Sequence, residues 1–321
     1  MIKVGIIGTG GMGSVHVNEW KALKDVEIVA VCDVTKEHAD RHVEGSIKPY
    51  YDYKEMLEKE NFDIIDVCTP TCLHKEVSIA AMNKKINVIC EKPLALNADE
   101  AKEIYSAAKE NDVYFMVAHV IRFWDEYVSL KKIIEEQKYG KLLNMSMWRI
   151  SAKPKWSWEN WMLDEKKSGL IPLDLHIHDL DYMVSVFGAP KTYEMSRGIA
   201  NKGMDGYTDQ INMRYDYDGF YVTSSASWYD CDYPFVAGFR AHFEKAVVEY
   251  SNGVLMAYQS DGQSVELNKK SEGEGVGINL PSTNGYANEI IYFKDCVKNK
   301  VAPSVIKEQE IYDVLDIVGI K

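Results

Sequence analysis

The feature that most constrains this chain is a six-residue turn near its start, Gly8-Thr9-Gly10-Gly11-Met12-Gly13. A strand-like run, Val4 to Ile7, precedes it, and a helical pattern from about Met12 to Leu23 follows. Glycines at this spacing permit a tight turn and let the backbone approach a pyrophosphate, whose charge then sits on a helix N-terminus. A second apolar run, Val26 to Cys32, leads to Asp33, 20 residues beyond Gly13. A carboxylate at that distance suits the hydroxyls of a ribose. No Lys-Ser or Lys-Thr pair follows the glycines, which excludes a P-loop. Gly8, Gly10, Gly11, Met12, Gly13 and Asp33 are therefore expected to hold a dinucleotide. NAD is expected over NADP, because Asp33 would repel a 2′-phosphate.

The pattern set by this turn continues. Ile64 to Cys68, Ile86 to Cys90 and Val113 to Ala118 are short, nearly continuous apolar runs with helical segments between them. Such runs fit a parallel sheet covered on both faces, and their alternation with helices fits a doubly wound α/β fold. One helix is well marked, with Asn97 as N-cap and Glu100 three residues on, running to about Asn111. Residues 1–120 are read as a Rossmann domain and 121–321 as a second domain. In the second, Asp125 to about Lys138 reads as a helix closed by Gly140, and 142–150 as a strand. Residues 153–168, with Trp156, Trp158 and Trp161, read as a loop or short helix; Leu173 to Phe187 reads as a helix stopped by Gly188. Residues 191–267 read as a strand meander with turns at Asp218-Gly219 and Asn252-Gly253. Residues 269–279 read as a mobile glycine-rich loop, and a terminal helical region begins near Tyr286.

The chain's 321 residues carry a formal charge of −12. A field of that sign argues against nucleic-acid and membrane-surface partners. No apolar run is long enough to span a bilayer, and the N-terminus lacks the basic and apolar regions of a signal peptide. The six cysteines form no CxxC pair and read as free, mostly buried thiols of a cytoplasmic protein. In 211–229 both alternating sets hold bulky residues, Tyr221 and Tyr229 on one and Phe220 and Trp228 on the other. A solvated face would be more charged, so a homo-oligomer, dimer or tetramer, is expected.

Three further motifs carry a resemblance. Thr69-Pro70-Thr71 with His74 follows one strand run, Glu91-Lys92-Pro93 follows another, and Ser168 to Gly188 reads SGLIPLDLHIHDLDYMVSVFG. With the glycine turn, these resemble the Gfo/Idh/MocA family, named for glucose–fructose oxidoreductase and inositol dehydrogenase. The resemblance covers nearly the whole chain. It implies a Rossmann domain followed by an α/β domain with a large open, mainly antiparallel sheet. It implies hydride transfer between nicotinamide and a carbinol or ketone of a sugar, cyclitol or related polyol. By position, Lys92 resembles the family's active-site lysine, and Asp174 and His178 its active-site Asp and His. Thr69, Pro70, His74, Glu91 and Lys92 join the cofactor-binding set. The chain has Ser168-Gly169-Leu170 where the family often has two or three glycines, and His176 where it often has a small residue.

The chemistry suits these residues. A hydroxyl proton must leave as the hydride does, and a histidine is a natural base near neutral pH. A lysine can hydrogen-bond the same oxygen, and a carboxylate can orient the ring. At about 100° per residue, Asp174, His178 and Asp181 share one face of a helix, and His176 points away. His119, Arg122, Trp161, His176 and Asp181 are candidates to line a substrate pocket. A metal reading of Asp174, His176, His178 and Asp181 brings at most three ligands together, so no metal is expected. The rival functions are a lyase or glycosidase of the same fold that retains NAD, and a non-catalytic NAD(H) sensor.

Overall fold

The computed structural model describes residues 1–198, 209–268 and 284–319, so the glycine-rich stretch at 269–279 lies outside the described residues. In chain order the first elements are β1 (Ile2–Ile7), α1 (Gly11–Lys21), β2 (Val26–Cys32), α2 (Lys36–Asp40), β3 (Lys48–Tyr50), α3 (Tyr53–Lys59) and β4 (Ile64–Val67). Then come α4 (His74–Asn83), β5 (Asn87–Glu91), α5 (Ala98–Asn111), β6 (Phe115–Ala118), α6 (Asp125–Glu135), β7 (Leu142–Ala152) and α7 (Glu165–Ser168). After a π-helical turn, Pro172–His176, follow α8 (Ile177–Phe187), β8 (Thr192–Gly198), β9 (Gln210–Asp216), β10 (Tyr221–Tyr229) and β11 (Val236–Phe243). The last are β12 (Ala246–Ser251), β13 (Val254–Gln259), β14 (Ser264–Glu266), α9 (Gly285–Asn299) and α10 (Glu308–Val318). Two compact units result, Met1–Val120 with Ser157–Ser168 and Tyr286–Lys321, and Ile121–Trp156 with Gly169–Gly285.

The first unit is built on a six-stranded parallel sheet in the order β3-β2-β1-β4-β5-β6. Val4, Ile6, Ala30, Val31, Ile64, Ile65, Val88 and Ile89 are fully buried, which is why the strand runs read as continuously apolar. β3 was not anticipated, because Pro49 interrupts its pattern; at the sheet edge its missing N–H costs little. Asn97 caps α5 as its position predicts, accepting from the Glu100 N–H at 3.0 Å. The described residues 286–319, assigned from sequence to the second domain, pack within this unit: Tyr312 of α10 meets Tyr105 of α5 edge-on, and Lys294 of α9 pairs with Asp25.

The second unit carries an eight-stranded sheet in the order β14-β13-β12-β11-β7-β10-β9-β8. The expected meander is therefore two meanders, β8–β10 and β11–β14, with β7 inserted between them. β7 pairs parallel with β10 and antiparallel with β11, so the sheet is mainly antiparallel. Alternation reads truly along it: Ile211, Met213, Tyr215, Val222, Ala226 and Trp228 are buried, while Tyr221, Thr223, Ser225 and Tyr229 on the other face are half-buried. Asn252 and Gly253 take φ of 52° and 78° between β12 and β13, the two-residue turn that their pairing predicts.

Candidate active site

In the first unit the glycine turn is shaped by what cannot be there. Gly8 has φ +88°, and a Cβ on it would lie 2.6 Å from the Cys68 carbonyl group. A Cβ on Gly13 would lie 1.8 Å from the Gly8 oxygen. These two glycines let β1, β4 and α1 close on one another. Gly10 differs: a Cβ there would meet nothing within 4 Å. Gly10 is the N-cap of α1 and gives the helix no side-chain cap, so the N-cap leaves the first N–H groups of α1 without a side-chain acceptor. The Thr9 and Thr69 hydroxyl oxygens are buried and have no hydrogen-bond partner among the described residues. An open helix N-terminus with two orphaned hydroxyls beside it is what a pyrophosphate-bearing ligand fits.

Asp33 follows β2 and takes the Thr9 N–H on Oδ2 and the Thr35 N–H on Oδ1, both at 2.8 Å. Its carboxylate is thereby fixed, and each oxygen keeps a lone pair for a ribose hydroxyl. His38 Nδ1 stands 3.5 Å from Oδ2.

Lys92 follows the last residue of β5 and is half-buried. Its N–H donates to Glu91 Oε2 at 2.9 Å, and the bond to Pro93 is cis. His74, expected at the cofactor, is buried and holds backbone: Nδ1 lies 2.8 Å from the Pro93 oxygen and Nε2 2.8 Å from the Thr69 oxygen. It thus ties the turn after β4 to the turn after β5. Burial pushes its pKa down against the raising effect of those carbonyls. Glu91 is likewise buried and bonded to His16 as well as to Lys92. Pro70 and Thr71 open the short 3-10 turn that leads into α4. His119, buried, and Trp161, half-buried, belong to this unit.

In the second unit the segment 168–188 departs from the expected single α-helix. Residues Pro172–His176 form a π turn, and only Ile177–Phe187 is α-helical. A π turn advances less per residue than an α-helix, so the 100° wheel that aligned Asp174 with His178 and Asp181 does not apply across it. Gly169 and Leu170 precede the turn with φ of +72° and +57°. Leu170 therefore holds a backbone conformation that glycine takes without strain, which explains why glycines are common at this place in the family. Asp174 is half-buried and His178 is 9% exposed.

The flanking polar residues are engaged by buried ion pairs. Arg122 grips Asp181 through Nε at 2.8 Å and Nη2 at 2.6 Å. Arg149, on the inner face of β7, bonds Asp179 at 2.9 Å and the Tyr127 hydroxyl at 3.3 Å. His176 stacks on Tyr215, with Nε2 2.7 Å from its hydroxyl and Nδ1 3.3 Å from Ser224 Oγ. Burial, with the Arg149 charge, brings its pKa down to about 3. His176 is thus a neutral core residue wedged against the sheet. Sequence reasoning passed over Asp179, Arg149, His16 and Asp66; Arg149 lies on the apolar side of a strand, the one signal that could have marked it.

Comparison with known proteins agrees with this geometry. Residues 2–119 match the family model described as oxidoreductase family, NAD-binding Rossmann fold, and residues 127–259 match the GFO/IDH/MocA C-terminal domain. The myo-inositol 2-dehydrogenase of Thermotoga maritima is 31% identical over 58% of this chain and 55% of its own length. The 2,7-anhydro-N-acetylneuraminate hydratase of Mediterraneibacter gnavus is 31% identical over 65% of this chain and 55% of its own. The match thus spans little more than half the length of these curated relatives. The solved myo-inositol 2-dehydrogenase of Lactobacillus plantarum has the same fold, with a TM-score of 0.82 at 23% identity over 99% of this chain and 95% of that one. From the glycine turn through the eight-stranded sheet, this chain belongs to the GFO/IDH/MocA oxidoreductase family.

Proposed function

We propose that the chain is an NAD(H)-dependent dehydrogenase or reductase that moves a hydride between nicotinamide and a carbinol or ketone of a sugar, cyclitol or related polyol. The observation that carries this reading is Lys92: a lysine at the C-terminal end of an interior strand of the Rossmann sheet, with its own N–H and the next residue's carbonyl both held. Ligands of open α/β sheets bind at that end. Gly10, Gly11, Met12 and the Thr9 and Thr69 hydroxyls would hold the pyrophosphate side of NAD, and Asp33 the ribose. When bound, NAD supplies the hydride acceptor. His178 takes the hydroxyl proton, Lys92 donates a hydrogen bond to the same oxygen and favours its anionic form, and Asp174 supports the pair. The names of the inositol dehydrogenases among the relatives favour a cyclitol or sugar. His119 and Trp161 are proposed to contact it; Arg122 with Asp181 acts by bracing α8.

The hydratase among the relatives supports a second reading, a lyase-type reaction in which NAD is reduced and reoxidised within one turnover. A screen of polyols, cyclitols, sugars and their keto forms separates the two. Reduced nicotinamide formed in step with product is the expected result. Product without net NADH favours the second reading, and neither signal across the screen defeats both. We further infer a cytoplasmic homodimer or homotetramer joined through the outer sheet face, where Trp148, Tyr221 and Tyr229 are only half-buried. Light scattering that returns the monomer mass of 36.6 kDa would overturn the oligomer.

A further inference from the structure

A buried ionisable cluster of the first unit lies behind Glu91, and His16, Asp66 and Glu289 have no part in the reading above. His16 lies on α1 and is fully buried. Its Nδ1 is 2.8 Å from Asp66 Oδ2 on β4, and its Nε2 is 3.0 Å from Glu91 Oε1 on β5. Asp66 also accepts from Trp20 Nε1 at 2.7 Å, and the Cys68 thiol lies 3.3 Å from its other oxygen. An ionised carboxylate only accepts, so a ring bonded to two of them carries a proton on each nitrogen. Burial is the largest influence on His16 and acts to lower its pKa, but the charges and hydrogen bonds of Asp66 and Cys68 together outweigh it, leaving the pKa well above the usual histidine value.

Glu289, on α9, closes the cluster. It is fully buried, and neither of its oxygens has a hydrogen-bond partner among the described residues. Burial pushes its pKa well up against the lowering effect of the His16 charge, which favours its neutral form. Ligand atoms of His16, Glu91 and Glu289 lie within 4.8 Å of one another. A metal there would have to displace the His16 Nε2–Glu91 bond.

What the cluster reaches is Lys92. Glu91 has two oxygens: Oε1 is held by His16, and Oε2 takes the Lys92 N–H. We propose that His16 is a positioning residue for Lys92: doubly protonated, it anchors Glu91 so that the carboxylate fixes the Lys92 amide and with it the direction in which the lysine side chain leaves β5. The inference rests on the role given to Lys92 above. Its physical basis is that a misplacement of about 1 Å in a reacting group costs ~10²-fold in rate.

Two measurements test it. In protein labelled with ¹⁵N-histidine, the His16 ring, assigned by its loss in His16→Gln, should show two N–H groups at pH 8; a ring with one proton overturns the proposal. The second is a kinetic cycle on a substrate found by the screen. His16→Gln should lower kcat by roughly 10–100-fold while the Kd for NAD, read by fluorescence, changes less than about threefold. In a Lys92→Met background the same change should cost less than about threefold, because its target is gone. An equal loss in both backgrounds shows a merely structural role and overturns the proposal, as does wild-type kcat in folded His16→Gln. Wild-type turnover in Lys92→Met sinks the role of Lys92 itself, a separate failure. If His16→Gln does not fold, Asp66→Asn, which removes the charge that keeps His16 protonated, runs the same cycle with the same expected pattern.

Discussion

Two fully buried histidines, one in each unit, have different protonation states imposed on them. His16 sits between two carboxylates and is held as a cation. His176 sits between two hydroxyls in the field of Arg149 and is held neutral. Both are 0% exposed, so burial does not decide the matter; the partners do. The units differ in the same way around the residues that we assign to chemistry. The first unit offers carboxylates and lets a histidine balance them behind Lys92. The second offers arginines, each matched by an aspartate on α8, around His178.

If Lys92 and His178 both act in the reaction, loss of either should be comparably severe. Lys92→Met and His178→Asn should each lower turnover by ~10²–10⁴, the usual worth of a positioned acid–base group. The double variant should be little worse than the poorer single one, since groups that act as a unit are not additive. NAD affinity should hold in His178→Asn. Near-wild-type turnover in folded His178→Asn would remove the second unit from the chemistry and break the comparison.

The arginine side is tested by stability. Arg149→Met leaves Asp179 buried without its charged partner, which should cost roughly 3–5 kcal/mol in a denaturant melt. Arg149→Met combined with Asp179→Leu should recover much of that loss, because removing both charges also removes their desolvation. A loss under about 1 kcal/mol in the single variant would show that the pair does not brace α8.

The histidines themselves predict opposite pH slopes. For His176 the folded pKa is depressed, to about 3. Above the unfolded value near 6.5 both states are neutral and nothing is lost; below it only the unfolded state takes the proton, at about 1.4 kcal/mol per pH unit. Between pH 7.5 and 5 this should cost the wild type about 2 kcal/mol that His176→Gln does not lose. For His16 the folded pKa is raised, so its contribution is complete below the unfolded pKa and fades as pH rises through the folded value. His16→Gln should therefore flatten the alkaline side of the stability profile, and His176→Gln the acid side. The same slope from both variants would erase the distinction.

How much of this was legible in the sequence depended on the range of the forces involved. The glycine turn, the Asn97 cap, the Asn252-Gly253 hairpin and the alternation of β9 and β10 are local: a few neighbouring residues suffice to state them, and each appears as read. The insertion of β7 between two meanders, and the return of α9 and α10 to the first unit, depend on contacts far apart in sequence. The candidate site divides the same way. Lys92, Asp174 and His178 stand out by motif. The helical wheel failed at the π turn, because a wheel assumes the backbone that it is used to infer. His16, Asp66 and Glu289 come from three elements and carry no local mark.

The smallest effect expected concerns the front of the first unit, where charge is presented and not buried. Asp33 is held by the Thr9 and Thr35 N–H groups, so its carboxylate cannot swing away from an incoming ribose. A 2′-phosphate near it meets like charge. At about 4 Å and an effective dielectric near 20 the repulsion is ~4 kcal/mol, and exposure to salt should cut it to roughly 1–3 kcal/mol. That is a preference for NAD of about 5–150-fold. Fluorescence titration of both cofactors at pH 8 measures it, and Asp33→Ser should abolish most of it. Equal affinity for NADP in the wild type at pH 8 would show that a fixed carboxylate at this place does not select the cofactor.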